Sequence, residues 1–428
     1  MNTLIRLLNE NKKISAWKIV KVNTETCELF YVNHDLETNR STSTQDVIVN
    51  VFVDKDEKRG TSSFTYNSSM DEEEIKNSIE SAIFAASLAL NPYYDIPSKD
   101  DSPLINQITN LSSRPFLDQM VDIVNAVFSQ DTFEDGNLSA SEFFLNKRTR
   151  RIINSKGVDV TFTTYDGFIE FIPTWKKENN EEFETYNTIH FADLDEKEIA
   201  LKVKEALSTT QDRAKAIDLK KGTKANVIFN AEEIAKVLRM FVDDLSYASE
   251  YQHTSLSKVG ESCQGEIIEG DKLTITLKPF VQGSTRSRPV DEDGVVLKDV
   301  TIIKDSIAVS RHGSYQLGCY LNEKNPTGNI PNMVVQPGTI SIEELKKEPF
   351  VECSKMSSME TDFFSGFFGG EVRLGYYFDG VTVQPVTSFS VSGNFHKLKG
   401  KFIFSKEEIT IPGYSGPKFM VVKDMEII

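Results

Sequence analysis

The chain has 428 residues, 39% of them hydrophobic and 26% charged, which suits a soluble globular protein of two or three domains, each with its own core. Its formal net charge of −16 argues against a nucleic-acid partner, because gripping a duplex needs clustered Lys and Arg to displace counterions. Cys27, Cys263, Cys319 and Cys353 lie far apart with no Cys-x-x-Cys spacing, as a reducing cytosol permits. Leu4, Ile5, Leu7 and Leu8 open the chain, but Arg6 and Glu10 interrupt any export signal. The most apolar stretch, residues 82–90, is far too short to span a bilayer. The expectation is a cytoplasmic protein without a membrane partner.

In chain order, the alternation around Trp17 and Ile19 marks one strand, and Cys27, Leu29 and Tyr31 mark a second. Val47 to Val53 is a third strand. It is joined through the charged turn 54–60 to a fourth across Phe64 and Tyr66, a hairpin pattern. Ser69 with Glu72 reads as a capping box, opening a helix that buries Ile75, Ile79, Ala82, Ile83 and Ala86. Residues 91–103 hold three prolines among polar residues and form the first linker candidate.

Pro115 starts the next helix, with Met120, Val121, Val124, Val127 and Phe128 as its apolar face. Strand signals follow at 139–145, 151–153, 158–165 and 168–175, with Asn154-Ser155-Lys156-Gly157 as a hairpin turn. The basic run Lys147-Arg148-Thr149-Arg150-Arg151 reads as a solvated face, with a partner or nucleic-acid patch as the alternative. Asp193 with Glu196 caps a helix that reaches about Ala214.

Beyond Lys224 the character changes. Asn230 with Glu233 reads as a capping box, and Ile234, Val237, Leu238, Phe241, Leu245 and Ala248 recur at helical spacing. The exposed side of that helix is expected to carry Lys236, Arg239, Asp243 and Asp244. A polar crossing, 246–260, ends on Gly260, and the remainder is rich in strands and turns with one further helix signal at 341–347. Glycines and aromatics alternate between Gly366 and Gly380, which suits a sheet that bends sharply or closes on itself. The fold class expected is α+β. A mixed first half, 1–222, subdivides near 91–103, and a β-rich second half, 223–428, packs one main helix.

Little here can carry chemistry. His34, His190, His253, His312 and His396 stand apart, so no His-x-x-x-His metal pair exists. His253, beside Glu250 and Tyr251, reads as a surface or groove residue without a ligand role, and His312 as a turn residue. Asp291-Glu292-Asp293-Gly294 lacks the distant bidentate Glu of a calcium loop and reads as a hairpin turn with acidic flanks. No phosphate-cradling Gly-x-x-x-x-Gly-Lys-Ser/Thr and no Gly-x-Ser-x-Gly is present. The cysteines, without a histidine partner, default to buried thiols.

Seven short stretches occur in a telling order. Ile153-Asn154-Ser155-Lys156-Gly157 comes first, then Val227-Ile228-Phe229 leading into the Asn230 helix, Ser255-Leu256-Ser257-Lys258-Val259-Gly260, and Asp291-Glu292-Asp293-Gly294-Val295. After these come Thr327-Gly328-Asn329, Gln336-Pro337-Gly338 with Ser341-Ile342-Glu343-Glu344-Leu345, and Ser392-Gly393-Asn394. Together they resemble the TldD/PmbA family, whose founding members form a two-subunit metallopeptidase. The resemblance implies, for catalytic members, a His-Glu-x-x-x-His stretch on this helix and a distant cysteine ligand. Aligning Val227-Ile228-Phe229 without gaps puts Arg239, Met240 and Asp244 at those positions, and a guanidinium cannot ligate zinc.

The chain therefore resembles the metal-less PmbA or TldE half of the pair. The expectation is a subunit with no catalytic residues, no metal and no cofactor of its own, shaping a peptide-binding cavity beside a metal-bearing TldD-like partner. Arg239, Asp243, Asp244, Glu250 and His253 are its candidate groove or partner-facing residues. A stand-alone homo-oligomeric peptide-binding or chaperone-like protein, and a hydrolase with an unrecognised site, are the alternatives.

Overall fold

The fold is that of a computed structural model describing residues 1–428. Helix α1 (Asn2–Glu10) leads into a long antiparallel ribbon, β1 (Ala16–Val32), β2 (Asp35–Lys55) and β3 (Lys58–Thr65). Helix α2 (Glu72–Leu88), strand β4 (Leu90–Pro92) and helix α3 (Phe116–Phe128) follow. The second ribbon is β5 (Gly136–Asn154), β6 (Asp159–Lys176), β7 (Glu182–Glu184) and β8 (Asn187–Phe191), closed by α4 (Glu196–Lys215). These strands make one sheet in the order β4-β3-β2-β1-β5-β6-β7, with β8 also on β6. One apolar core packs α1 and α2 at one end of it, and a second packs α3 and α4 at the other.

Several expected strands merge. The separate signals at 17–22 and 27–31 are one strand, and the four between 139 and 175 are two, because β1 pairs with both β2 and β5 along its length. The hairpin at Asn154 stands as read: Gly157 has φ +89°, and Asn154 Oδ1 accepts the Lys156 and Val158 amides. Two caps move by two residues. Asp71, not Ser69, forms a capping box with Glu74, because Asn67, Ser69 and Met70 close a turn of their own first. Asp195, not Asp193, caps α4, because the Asp193 carboxylate is taken by the Asn110 amide and by Gln282. On α3 the buried side is Gln119, Met120, Ile123 and Val127, while Val121 is exposed.

The second half runs β9 (Ile217–Asp218), β10 (Thr223–Asn230), α5 (Ala231–Asp244), α6 (Tyr247–Tyr251), β11 (Ile275–Lys278), β12 (Val300–Lys304) and β13 (Ile307–Ala308). Then come α7 (Tyr315–Tyr320), β14 (Asn332–Val335), α8 (Ile342–Leu345), β15 (Phe350–Met356), β16 (Glu360–Asp362), β17 (Phe367–Phe378) and β18 (Val383–Thr387). The chain ends with β19 (Phe389–Asn394), α9 (Phe395–Leu398), β20 (Ile403–Phe404), β21 (Glu408–Ile411), β22 (Tyr414–Pro417) and β23 (Phe419–Ile427).

Strands β15, β10, β23, β19 and β17 pair in that order, and β17 pairs back onto β15, so the sheet closes into a five-stranded ring. The glycine-aromatic stretch supplies the closing strand. At Gly369, with φ +157°, an added Cβ would lie 2.1 Å from the Val391 carbonyl oxygen, so only glycine lets β17 and β19 approach there. A second sheet, β13-β12-β11-β14-β22-β21, lies beside the ring.

Helix α5 joins ring and sheet. Ile234, Val237, Leu238, Phe241 and Leu245 share one 37-residue core with Val227, Phe229 and Met420 of the ring and Ile275, Ile303 and Met333 of the sheet. That burial covers more of the helix than a one-sided stripe predicts. Met240, Val242, Glu233 and Asp244 are buried too, so α5 exposes only a narrow line of Glu232, Lys236, Arg239 and Asp243. The short helices α6, α7 and α9 carried no sequence signal that their four to six residues could make distinct.

Candidate functional site

Arg239 and Val242 of α5 line a cleft of about 580 Å³ between the two halves of the chain. Its walls gather five arginines: Arg148 and Arg150 from β5, Arg239 from α5, and Arg286 and Arg288 from the loop that follows β11. Asp166 and Glu292 are the only carboxylates among the lining residues. Val242 and His312 lie at its base beside Asn329, Ile330 and Pro331.

Strand periodicity delivers the first pair. Side chains alternate across a strand, so the run 147–151 divides between two faces. Lys147 and Arg151 pair with Glu25 and Asp159, at 2.9 and 2.8 Å, on exposed surface. Arg148 and Arg150 turn into the cleft, which corrects the reading of the whole run as a solvated face. Arg286 and Arg288 show the same alternate spacing in the loop. The sequence held this signal twice, as Arg-x-Arg, without showing that the two would meet.

The arginines are unevenly neutralised. Arg148 is bonded to Asp166, Arg288 to Glu292, and Arg239 to Asp243 at 2.9 Å. Arg150, half-buried, has no carboxylate in salt-bridge reach; burial, then the like charges of Arg288 and Arg148, pull its pKa below the ordinary value. Arg286 has no ion-pair partner either, and the Arg288 Nε is buried with no acceptor. The base of the cleft is neutral: His312 Nε2 donates to the Val242 carbonyl at 2.9 Å, and burial lowers its pKa.

The five residues expected to share a groove are not brought together. Arg239 lines the cleft, and Asp243 is bonded to it at 2.9 Å. Asp244 is 3% exposed, on the buried side of α5, and accepts the Leu256 and Ser257 amides at 2.7 and 3.1 Å. It anchors the polar crossing instead of facing a groove. Glu250 pairs with Arg311, whose guanidinium also donates to the Ser257 carbonyl at 3.0 Å, so this pair clamps the same crossing. His253 is exposed beyond α6, with φ +57°. Asn230 caps α5 through the Glu232 amide, while Glu233 turns inward rather than closing a capping box.

The role of Asp244 has a direct test. Asp244→Ala removes both acceptors, and two amides without partners cost roughly 1–3 kcal/mol in total where water reaches the crossing. The expected result is a lower Tm with hydrogen exchange accelerated at Leu256 and Ser257. Unchanged exchange across 255–260 would contradict the anchoring role.

The donor set does not fit a zinc ion of the kind the resemblance implies for catalytic members. Arg239 is a permanent cation, Met240 is 4% exposed within the core, and both Asp244 oxygens hold backbone amides. Nowhere do three His, Cys, Asp or Glu side chains converge. Cys353, a fully buried thiol, is pushed well above the ordinary range by desolvation, then by Glu233 and Glu352. What the cleft offers chemically is a partly unneutralised set of guanidinium donors.

Comparison with known proteins gives the family. The description "PmbA/TldA metallopeptidase C-terminal domain" matches residues 222–428. Among solved structures, TldE from Thermococcus kodakarensis superposes with a TM-score of 0.80 at 15% identity, over 100% of this chain and 99% of its own. A candidate modulator of a DNA gyrase from Thermotoga maritima MSB8 gives 0.79 at 19% identity, covering 100% and 99%. A candidate modulator of DNA gyrase from Bacteroides thetaiotaomicron gives 0.81 at 14%, covering 100% and 97%. A search of curated protein sequences finds no match. The whole α+β chain thus shares its fold with these three, and through its residues 222–428 it belongs to the TldD/PmbA family.

Proposed function

We propose that this chain is the non-catalytic, PmbA/TldE-like subunit of a TldD-type metallopeptidase, walling and shaping a peptide cavity whose metal is held by a partner chain. The observation that carries this is the composition of the cleft over α5. Metal-assisted hydrolysis needs an ion that polarises the carbonyl and activates water; of the three positions where the resemblance puts ligands, Arg239 is a cation at the cleft, and Met240 and Asp244 are buried away from it. The exposed apolar side chains Tyr251, Leu256 and Val259, on the segment that Asp244 and Arg311 hold in place, support a protein-facing surface beside α6. A self-associated peptide-binding protein is the second reading, and the same exposed residues serve it equally.

Affinity capture of the chain from its native cell, at native abundance, separates the two. The expected result is a co-purifying relative that carries His-Glu-x-x-x-His, with about one zinc per pair, and no retained zinc once the chain is isolated. Recovery of self-oligomers alone would favour the second reading. Peptide cleavage by the isolated, metal-stripped chain would overturn the non-catalytic role.

A further inference from the structure

Part of the charge in the arginine cleft has no partner within the chain. Three elements distant in sequence bring five guanidinium groups to one wall, in a protein whose net charge is −16. Arg150 and Arg286 have no carboxylate partner, Arg288 has a buried Nε without an acceptor, and Arg148 and Arg288 both depress the pKa of Arg150. Like charges held together and partly desolvated destabilise a fold unless an anion joins them. Asp166, Glu292 and Asp243 each occupy one arginine and leave Arg150 and Arg286 without a carboxylate.

We infer that the cleft is an anion-binding site for the carboxylates of an acidic peptide segment, with Arg150 and Arg286 as receptors and Arg239 at the rim. The guanidinium fork donates two parallel bonds to a planar carboxylate, which a lysine cannot do. At about 580 Å³ the cleft has the volume of a pocket for a small ligand or a few peptide residues. A nucleic acid is disfavoured, because tracking a phosphate backbone needs a long basic stripe, and this cleft is one small basic patch on a chain at −16. The choice of a peptide as carrier of the carboxylates rests on the cavity-wall reading above. The anion site itself does not, so the two are tested separately.

The probe is an N-terminally labelled octapeptide of alternating Gly and Glu with a free C-terminus, titrated against the full chain by fluorescence anisotropy. Binding at least tenfold tighter than that of the Gln analogue with an amidated terminus is the expected result. Peptides with only the Gln changes or only the amide assign the carboxylate to side chain or terminus, and a loss with either one supports the site. Arg150→Gln and Arg286→Gln should each weaken binding at least fivefold. Arg150→Gln should leave Tm unchanged or raised, because it relieves repulsion; a merely damaged fold would lower both. Arg286 is exposed, so its variant tests the site without disturbing the core. Equal binding of acidic and neutral peptides, no binding of either, or indifference to both variants would overturn the proposal. Displacement by inorganic phosphate at the peptide's own concentration would overturn the peptide assignment. If partner capture persists when anion binding fails, the cavity-wall reading stands without it.

Discussion

Asp291→Ala is expected to destabilise the protein by roughly 3–6 kcal/mol, among the largest effects of any single polar substitution in the chain. The side chain is 2% exposed and accepts three backbone amides: Asp293 at 2.9 Å and Val295 at 3.0 Å on one oxygen, Asn329 at 3.2 Å on the other. These bonds tie the acidic turn, with Gly294 at φ +85°, to the Thr327-Gly328-Asn329 turn that edges the arginine cleft. Three amides left without an acceptor each cost about 1–3 kcal/mol, less where water enters. Burial and then the Asp293 charge push the Asp291 pKa up to about 6, against the pull of the three amides. Asp291→Asn keeps one carbonyl oxygen, so its loss should be roughly half that of the alanine variant. Urea unfolding of all three proteins checks this, and an alanine variant within about 1 kcal/mol of wild type would refute it.

Glu233→Gln should stabilise the protein above neutral pH by about 3 kcal/mol and have almost no effect near pH 4. Glu233 is 5% exposed on the inner side of α5, and its Oε2 has no hydrogen-bond partner. Desolvation, then the charge of Glu232, raises its pKa from 4.5 to about 7, opposed by Lys236 and Lys355. Between pH 4.5 and 7 the folded chain therefore holds a proton that the unfolded chain has released. Stability falls as pH rises through that window, and the penalty is complete above about 7. Glutamine removes the charge and with it the penalty. Unfolding midpoints at pH 4.5, 6 and 8 give the test: a wild-type-to-variant difference that stays constant with pH would show that Glu233 is not the group responsible. Lys355 is also pulled below its ordinary pKa by burial, and it bonds to Asn187 of the first half at 2.7 Å.

The α+β class and the main helix of the second half were legible because both depend on periodicity. The apolar spacing from Ile234 to Leu245 fits a helix whatever surrounds it, and so does the spacing from Ile75 to Ala86. The turns at Asn154 and Asp291 were legible because glycine at positive φ is a local demand. The family was legible in the order of seven short stretches, four of which the structure assigns a task. Asn154 holds a hairpin, Ser255–Gly260 is anchored by Asp244 and Arg311, Asp291 ties two turns, and Gly393 lies where a Cβ would press the Phe368 ring at 2.6 Å.

What the tertiary structure alone decided concerns which polar groups were already spoken for. Asp193 matched a helix cap as well as Asp195 did, until Gln282 and Asn110 took its oxygens. Asp244 matched an exposed helix position until the chain that follows came back to cover α5 and offered two amides. The candidate site was the least legible part. Arg148 and Arg150 lie more than 130 positions before Arg286 and Arg288, and nothing local to either pair demands the other. One dimension fixed the alternation that turned each pair to a single side; only the fold brought β5, α5 and the 285–288 loop around one cleft, where Asp166 and Glu292 neutralise Arg148 and Arg288 and leave Arg150 and Arg286 without a carboxylate.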